Sequence, residues 1–207
     1  MLVILAGLPG AGKTTIAREL ARQLRAVHVR IDSIEQAIRQ SGIARSMEDG
    51  GYRVAYAVAA DNLRLGHTVV ADSVNPIAAS RRAWREVAAR AGVAAVDVEI
   101  TCADRDEHRR RVETRRADID GHTLPAWQDV VDRGYEVWEE ERMVIDTAGR
   151  TVDECVAMLR TALASRRPGV ARPSVPGRCQ ARARHVSGTC QARVRHGKPG
   201  GAGHGHP

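Results

Sequence analysis

Residues 6–20 read AGLPGAGKTTIAREL, and within them Gly7 to Thr14 fit the pattern G-x-x-x-x-G-K-[S/T] without a mismatch. The apolar run Leu2 to Ala6 precedes the pattern, and a helical spacing of apolar residues from Thr14 to Leu24 follows it. A strand, a glycine-rich turn and a helix in this order place backbone N–H groups at the start of the helix, where they bind phosphate. The chain is therefore predicted to fold around a parallel sheet and to bind a nucleoside triphosphate.

The residue types of this loop indicate how it would hold a triphosphate. Glycines let the backbone turn tightly and let its N–H groups approach the β-phosphate. Lys13 is predicted to reach the β- and γ-phosphates, the Thr14 hydroxyl to ligate Mg²⁺, and Thr15 to meet the α-phosphate. ATP and Mg²⁺ are thus the expected cofactors, and the predicted nucleotide-binding residues of the loop are Gly7, Leu8, Pro9, Gly10, Ala11, Gly12, Lys13, Thr14 and Thr15.

The first 165 residues alternate between apolar runs and helical periodicities. Strands are predicted at 2–6, 27–31, 67–71, 96–101 and 143–145. Helices are predicted at 14–24, 33–42, 52–65, 76–91, 104–116, 125–142 and 151–164, and residues 43–51 read as a loop. This alternation is typical of an α/β fold with five parallel strands and helices on both faces of the sheet.

Composition separates a folded domain, residues 1–165, from a basic C-terminal tail, residues 166–207. The tail holds eight Arg, one Lys and no acidic residue, whereas the remaining chain holds all 25 acidic residues and is close to neutral. Pro, Gly, Arg and Ser dominate the tail without periodicity, which predicts disorder. Its near-repeat, CQARARH at 179 and CQARVRH at 190, is either a duplicated solvated segment or an arm that binds nucleic acid.

The N-terminus and the cysteines bear on where the protein works. The chain opens with the strand that the glycine loop needs, has no basic leader, and contains no apolar run of membrane-spanning length. The four cysteines form no C-x-x-C pair and no zinc spacing, so buried free thiols are expected. These features predict a soluble cytoplasmic protein without a membrane partner.

Two acidic residues directly follow predicted strands and so belong at the carboxyl edge of the sheet, beside the glycine loop. A carboxylate at Asp32 can take the proton from a hydroxyl that receives a phosphoryl group. Asp72 is placed to hold Mg²⁺ through water, and Asn75 to orient a phosphate or an acceptor. The alternative is that Asp32 with Ser33, and Asp72 with Ser73, only cap the helices that start there.

Five arginines fall within residues 109–116, in a predicted helix that is followed by a polar loop. The helix and loop together, residues 104–124, are predicted to form a lid that closes over the triphosphate and excludes water. Arg111 and Arg115 are spaced i, i+4, so on a helix they share a face and can stabilise the transferring group. The alternative is a solvated charged helix whose arginines pair with neighbouring acidic residues.

Position along the fold suggests the remaining contacts. The loop after the last strand is expected to cradle adenine through Thr147, Ala148 and Gly149. The acceptor pocket is expected between residues 34 and 60, with Arg39, Tyr52, Tyr56 and Asn75 as the candidate substrate-binding residues. The three tryptophans, Trp84, Trp127 and Trp138, occupy amphipathic positions of predicted helices and are expected to pack in the core or at its rim.

The segments GLPGAGKTT, RIDSIEQA, VVADSVNP, RRRVETR and IDTA occur in the order seen in small P-loop kinases. That group includes chloramphenicol phosphotransferase, zeta toxins, gluconate and shikimate kinases, and the kinase domain of polynucleotide kinase. The chain resembles it from residue 1 to about residue 164. The resemblance implies a P-loop NTPase fold with strand order 2-3-1-4-5, a lid after the fourth strand, and ATP with Mg²⁺. It also implies that Asp32 is the base of a hydroxyl kinase.

Two departures from related kinases narrow this resemblance. Nucleoside monophosphate kinases show D-x-x-R where this chain has Asp32 and then Glu35, which argues against an acceptor phosphate. Adenylylsulfate kinases carry a D-G-D motif that this chain lacks, which disfavours that relative. The sequence hypothesis is a kinase that transfers the γ-phosphoryl group of ATP to an alcohol of a small molecule. The rival hypotheses are a kinase directed at nucleic acid, with the tail as its arm, and a toxin kinase that acts on nucleotide sugars.

Overall fold

The computed structural model describes residues 1–42 and 49–166. The strands in these ranges are β1 (Leu2–Ala6), β2 (Val27–Arg30), β3 (Val69–Asp72), β4 (Ala95–Thr101) and β5 (Met143–Asp146). The helices are α1 (Lys13–Leu24), α2 (Ile31–Ser41), α3 (Gly50–Arg64), α4 (Ala78–Arg90), α5 (Arg105–Thr114), α6 (Trp127–Val131) and α7 (Val152–Ser165). None of these helices is long and apolar enough to cross a membrane.

All strand pairs are parallel, and the sheet order is β2-β3-β1-β4-β5, which confirms the predicted α/β fold and strand order. In the register of the sheet, Leu5 of β1 lies beside Asp72, and Asp72 lies beside Arg30 at the end of β2. The carboxyl ends of β1, β2 and β3 therefore meet at one edge. Whatever follows these strands is brought to the same place, as expected for a ligand site in an open parallel sheet.

Alternate residues of the central strand face opposite sides of the sheet and bury two separate cores. On one side, Val3 and Leu5 pack with the inner faces of α1 and α7. On the other, Leu2 and Ile4 pack with α3, α4 and the fully buried Trp84. Because β1 is buried on both sides, its sequence is a continuous apolar run rather than an alternation. The glycine loop thus directly follows a strand whose five residues are all buried.

Most predicted elements are found within two residues of their expected ends, with one difference that matters for the site. The helix expected to begin at Ser33 begins at Ile31, which was expected to end the preceding strand. Asp32 therefore lies in the first turn of α2, and the helix determines the direction of its side chain. The predicted tail, apart from Arg166, and residues 43–48 of the predicted loop lie outside the described residues, as do Cys179 and Cys190.

The predicted helix at 125–142 is wrong. Only Trp127–Val131 are helical, and residues 132–142 form an irregular strap across the face of β4. The backbone of the strap bonds elsewhere in the fold: Glu136 N donates to the Pro76 carbonyl at 2.8 Å, and its carboxylate accepts from Ala78 N. Gly134, a poor helix former, sits inside the segment. Tertiary contacts therefore outweigh the helical spacing of apolar residues here.

Arg81 of α4 holds the strap in place. Its side chain is fully buried, and its Nη2 donates to the carbonyls of Pro76, at 3.2 Å, and Glu136, at 2.8 Å. The guanidinium also lies over the Trp138 ring, 4.2 Å from the ring centroid. Trp138 is buried as expected, but it lies in the strap and not in a helix. The strap is thus held by contacts with the buried Arg81 guanidinium, and not by the apolar face of the predicted helix.

Substituting Arg81→Ala is expected to lower the free energy of unfolding by about 3 kcal/mol. The estimate combines the loss of charged hydrogen bonds with the loss of a desolvated cation–π contact. Arg82→Ala is the matched control, because Arg82 is exposed on the same helix and its loss should cost less than about 0.5 kcal/mol. Urea denaturation followed by circular dichroism measures both. Equal stability of the two variants would contradict the role given to Arg81.

Candidate active site

The loop between β1 and α1 has the backbone geometry that phosphate binding needs. Gly12, the residue before α1, has φ 98°, a left-handed conformation that favours glycine. No side chain caps the helix, and its first turn contains no acidic residue. The first N–H groups of α1 therefore remain available, and the positive end of the helix dipole faces the loop. Gly7 has φ 134°, and a Cβ there would clash with the Ile100 carbonyl oxygen.

Lys13 lies over this loop. Its Nζ donates to the Leu8 carbonyl at 2.9 Å, and the residue is only 8% exposed. Burial lowers the pKa of Lys13 to about 8, while the nearby carboxylates of Asp72 and Asp32 act in the opposite direction. The ammonium group is thus held where anionic oxygens would relieve its desolvation, which is the position predicted for contact with the β- and γ-phosphates.

A cavity of about 1230 Å³ opens at the carboxyl edge of the sheet. Pockets for single small molecules are usually about 300–1,000 Å³, so this one has room for a nucleotide together with a second reactant. It brings together most of the residues that the sequence singled out. Of these, the lining includes Pro9, Gly10, Gly12, Lys13, Thr14, Thr15, Asp32, Arg39, Asp72, Arg111, Arg115 and Thr147.

Asp72 ends β3 and is 3% exposed. One of its carboxylate oxygens lies 3.2 Å from Nε2 of His28, a neighbouring residue of β2, which fixes the side chain. The alternative that Asp72 and Ser73 cap the next helix is wrong. That helix, α4, begins six residues later with Ile77 as its N-cap and receives no side-chain cap. The carboxylate instead faces the cavity beside Lys13.

Asp32 lies in the first turn of α2, on the wall of the same cavity. The N-cap of α2 is Arg30, and no side chain provides a capping hydrogen bond, so the capping alternative is wrong for Asp32 too. The Asp32 side chain is 43% exposed, and Nη2 of Arg30 lies 3.6 Å from its Oδ2. The Asp32 carboxylate is therefore exposed to the cavity and does not cap α2.

The predicted lid divides into two parts, of which the first is α5. Asp104 caps α5 by accepting from Asp106 N and Glu107 N. The His108 ring nitrogen Nε2 lies 2.9 Å from the Pro9 carbonyl, and Val112 packs so close to Gly10 that a Cβ there would clash with it. Helix α5 is therefore packed directly on the glycine loop and supports it.

Arg111, on α5, makes three hydrogen bonds to protein partners. Its Nη1 donates to Thr147 Oγ1 at 2.7 Å, and its Nη2 donates to the Thr147 carbonyl at 3.0 Å and to Glu107. Glu107 also accepts from Gly149 N at 3.0 Å. Arg111 and Glu107 together fix the loop after β5, the segment expected to lie near adenine.

Arg115 differs from Arg111, and the expectation that the two share a helical face is wrong. Helix α5 ends at Thr114, and Arg115 has an extended backbone. Its side chain lines the cavity, and its Nε and Nη2 are buried without a hydrogen-bond partner in the described structure. Burial lowers the pKa of Arg115, whereas the charge of Asp32 acts to raise it. Free guanidinium donors in a cavity are suited to an anionic ligand.

The second part of the lid, residues 115–124, is bound to the body of the domain. The Asp118 carboxylate accepts from both Nη atoms of Arg30, at 2.8 and 3.1 Å, and from Arg18 of α1. Hydrogen bonds from Arg30 and Arg18 lower the pKa of Asp118 to about 2. Gln36 and Gln40 of α2 donate to the Asp120 carbonyl at 3.2 and 3.0 Å. The structure therefore describes the lid in a docked position.

Three of the four candidate substrate-binding residues do not reach the cavity lining. Tyr52 lies against the apolar core with its hydroxyl 3.3 Å from Asn75 N, and Tyr56 packs edge-on against Trp84. Asn75 is fully buried and donates to the Leu5 carbonyl at 2.8 Å, so it braces β1 from below. The expectation is corrected for these three residues, because position along the chain does not show whether a side chain faces a core or a cavity.

Side-chain hydrogen bonds order the loop after β5. Thr147 is buried, and its Oγ1 lies 3.0 Å from the Ala11 carbonyl and 2.9 Å from the Thr101 carbonyl. Asp146 Oδ1 accepts from the backbone N–H of Ala148. Thr147 lines the cavity, whereas Ala148 and Gly149 are not part of its lining. An adenine contact through the last two residues stays a prediction.

Comparison with known proteins is consistent with this geometry. Residues 2–140 match the model of a protein family described as AAA domain, which is more than half of the chain. The chain belongs to the AAA domain family. Within this family its P-loop, parallel sheet and cavity are those of a small P-loop kinase fold, as the sequence resemblance implied.

Several proteins similar to this chain are kinases by name. An adenylyl-sulfate kinase from Synechococcus sp. (strain JA-3-3Ab) is 26% identical over 165 residues, which are 77% of this chain and 91% of the relative. The structure of the Mycobacterium tuberculosis APS kinase CysC in complex with AMPPNP and APS has 22% identity and a TM-score of 0.60, covering 79% of this chain and 96% of that chain. Chaetomium thermophilum Kti12 in complex with ADP-AlF3 has 20% identity and a TM-score of 0.58, covering 78% and 98%.

These similarities correct one expectation. The missing D-G-D motif disfavoured adenylylsulfate kinases as relatives, yet two curated relatives of this chain are adenylyl-sulfate kinases. Similarity over 165 residues therefore reveals a relationship to adenylyl-sulfate kinases that one short motif does not. The two solved structures share the fold of this chain. The P-loop is the part of the site that the sequence motif predicted most directly.

Some residues of the AAA domain site were missed by sequence reasoning. They are His108 and Glu107 on α5, Asp118 and His122 on the lid, and Glu35 on α2. Three of them act through partners far away in the sequence: His108 with Pro9, Glu107 with Gly149, and Asp118 with Arg30. Only Glu35 carried a local signal, since it lies one turn beyond Asp32 and so shares its helical face.

Proposed function

We propose that this chain is an ATP-dependent phosphotransferase that moves the γ-phosphoryl group of ATP to a hydroxyl of a small molecule. The observation that carries the proposal is that Lys13, Asp72, Asp32 and Arg115 line one cavity. The first two suit a metal-bound triphosphate, Arg115 suits the transferring group, and Asp32 suits an acceptor hydroxyl. The kinase names of the relatives support the reaction class. The catalytic domain is taken as residues 1–165, with 166–207 as a tail outside the reaction.

The glycine loop fits a triphosphate. Among the described residues, no side chain caps the N–H groups at the start of α1, Lys13 donates only to the Leu8 carbonyl, and Arg115 has donors without partners. These three features would each be satisfied by phosphate oxygens. The Thr14 hydroxyl and the Asp72 carboxylate are the oxygen ligands through which Mg²⁺ would be held, directly or through water. Bound there, Mg²⁺ would neutralise part of the charge of the phosphates.

Phosphoryl transfer needs a proton to leave the acceptor. In the proposed reaction the acceptor oxygen attacks the γ-phosphorus, the bond between that phosphorus and the β–γ bridging oxygen breaks, and ADP leaves. The acceptor proton passes to the Asp32 carboxylate, which is open to the cavity. Arg115 donates to the oxygens of the transferring group, where negative charge is spread. The docked lid excludes water from the same space.

A screen of alcohol acceptors tests this proposal. Purified protein is incubated with Mg·ATP and a panel of sugars, polyols, amino alcohols and nucleosides, and ADP release is followed together with ³²P transfer to the acceptor. The Lys13→Ala protein serves as the blank, because it keeps the acceptor side of the cavity but lacks the cation for the phosphates. Release of ADP that depends on an acceptor supports the proposal. Release of ADP to water alone, at the same rate with every compound, would overturn it.

The depressed pKa of Lys13 predicts how ATP binding depends on pH. In the free protein Lys13 loses its charge as pH rises through about 8, whereas bound phosphates would keep it protonated. ATP must then bind together with a proton, so its Kd is expected to rise about tenfold between pH 7 and pH 9. Titration with a fluorescent nucleotide analogue measures this. Lys13→Arg is the control, because a guanidinium stays charged and its profile should be flat.

A further inference from the structure

The aromatic residues of this chain are all placed away from the cavity. The sequence has three Trp, three Tyr and no Phe, and all six lie within the described residues. Tyr52, Tyr56 and Trp84 form one cluster in the core. Trp127 packs against His108, and the other two rings belong to the Arg81 contact. None of the six rings is part of the cavity lining.

The lack of a ring limits what can bind opposite the triphosphate. Stacking on an aromatic side chain contributes roughly 5- to 150-fold in affinity for each nucleobase. Residues 43–48, which follow α2, read IARSME and would add no ring either. An acceptor that carries a base or another aromatic group thus finds no Trp, Tyr or Phe ring to stack on in this cavity. The polar side chains of the cavity wall are then the groups that would recognise an acceptor.

Glu35 is the first hydrogen-bonding group on this side of the cavity. It lies one helical turn beyond Asp32 and lines the cavity. Its side chain is 22% exposed, packs closely against Gly51 of α3, and pairs with Arg39 at 3.1 Å. Burial raises the pKa of Glu35, while the Arg39 charge acts to lower it. Residues three apart on a helix have Cβ atoms about 5–6 Å apart, so Asp32 and Glu35 can meet neighbouring groups of one molecule.

His122 faces this carboxylate from the lid. It lines the cavity, and its Nδ1 is buried without a hydrogen-bond partner in the described structure. It is close enough to Glu35 for its charge to act on the Glu35 pKa. The turn that carries His122 is held down on α2 by the bonds from Gln36 and Gln40 to the Asp120 carbonyl. A buried ring nitrogen without a partner is costly unless a ligand supplies one.

We infer that Glu35 and His122 form the acceptor subsite, and that the acceptor is a non-aromatic polyhydroxy compound such as a sugar or an alditol. The inference rests on the proposed function and names its substrate class. One hydroxyl lies at Asp32 and reacts, and the hydroxyls beside it donate to the Glu35 carboxylate and bond with His122 Nδ1. Because His122 belongs to the lid and Glu35 to α2, the acceptor itself joins the two walls. Arg39 holds Glu35 in position.

The test compares acceptors and variants in the ADP-release assay on the full chain. Hexoses, alditols and cyclitols form one group, and adenosine, cytidine and an aromatic alcohol form the other. Turnover is expected with a member of the first group and not with the second. For that compound, E35Q and H122A should each raise KM about 10- to 100-fold while kcat changes less than about 3-fold and KM for ATP is unchanged.

The E113Q variant is the matched control, since Glu113 loses the same charge on the exposed side of α5, outside the cavity lining. Thermal unfolding of each variant is recorded, and H122Q replaces H122A if the latter is unstable. Preference for nucleosides, or an unchanged acceptor KM in both E35Q and H122A, would overturn the inference and leave the kinase proposal standing. If the wild-type protein shows no turnover with any acceptor, the proposed function itself would be overturned.

Discussion

Replacing Asp32 by Asn is expected to lower kcat for phosphoryl transfer by about 10²- to 10⁴-fold, which is the usual contribution of a general base. The amide has nearly the same shape as the carboxylate but cannot take the acceptor proton. Asp32 lies in the first turn of α2 without capping it, so the helix should survive the change. Affinity for ATP should stay close to that of the wild-type protein, because the loop and Lys13 are untouched. Steady-state kinetics with the best acceptor, and nucleotide titration, measure the two quantities.

The control for this experiment is Asp106→Asn, an identical chemical change on the exposed first turn of α5. Its kcat should match that of the wild-type protein. The proposal fails if Asp32→Asn keeps near-normal transfer while Lys13→Ala abolishes it. In that case the cavity would bind nucleotide, but the carboxylate would have no part in proton removal.

The P-loop half of this site was predictable because its physics is local. A strand, three glycines, a lysine and a threonine are adjacent in the sequence, and the phosphate is bound mainly by backbone that those glycines shape. The predicted strand, loop and helix and the parallel sheet agree with the structure for this reason. Asp32 and Asp72 were singled out by the same logic, since each directly follows a predicted apolar strand.

The acceptor half was not predictable in the same way. Tyr52 and Tyr56 were expected in the pocket because of their position along the fold, between residues 34 and 60, but they pack against the core. Periodicity reports which face of a helix is buried, not what it is buried against. Glu35 and His122 line one cavity only because the turn that carries His122 is docked on α2, through contacts between residues 80 and 84 positions apart.

The strap and the end of α5 show that helix prediction from apolar spacing is limited by the energy of tertiary contacts. Spacing predicted a helix through residues 125–142 and through Arg115, and in both cases the helix ends early. The strap gains the charged hydrogen bonds and the ring contact of Arg81, which a helix would not offer. Intrinsic helix propensity differs by less than about 1 kcal/mol per residue among non-proline residues, so a few such contacts are enough to outweigh it.

Replacing Arg115 by Ala is expected to lower kcat by about 10³-fold or more, in the range known for an arginine that stabilises phosphoryl transfer. Its Nε and Nη2 have no partner in residues 1–42 and 49–166, so they are available to donate to the transferring group. Arg111→Ala should behave differently. Because Arg111 is bound to Thr147 and Glu107, its loss should loosen the loop after β5, raise KM for ATP and lower thermal stability, with a smaller effect on kcat. Arg110→Ala, on the exposed face of α5, is the control.

The Arg115→Lys variant separates charge from geometry. A lysine keeps the positive charge but lacks the planar fork, so recovery of only a small part of the lost kcat would mean that paired donation is needed. If Arg111→Ala instead lost as much kcat as Arg115→Ala with ATP affinity unchanged, the assignment of the two arginines would be reversed. The two residues have different environments, because Arg111 is bound to Thr147 and Glu107, whereas two donors of Arg115 have no partner among the described residues. A reversed result would therefore contradict the roles inferred from these environments.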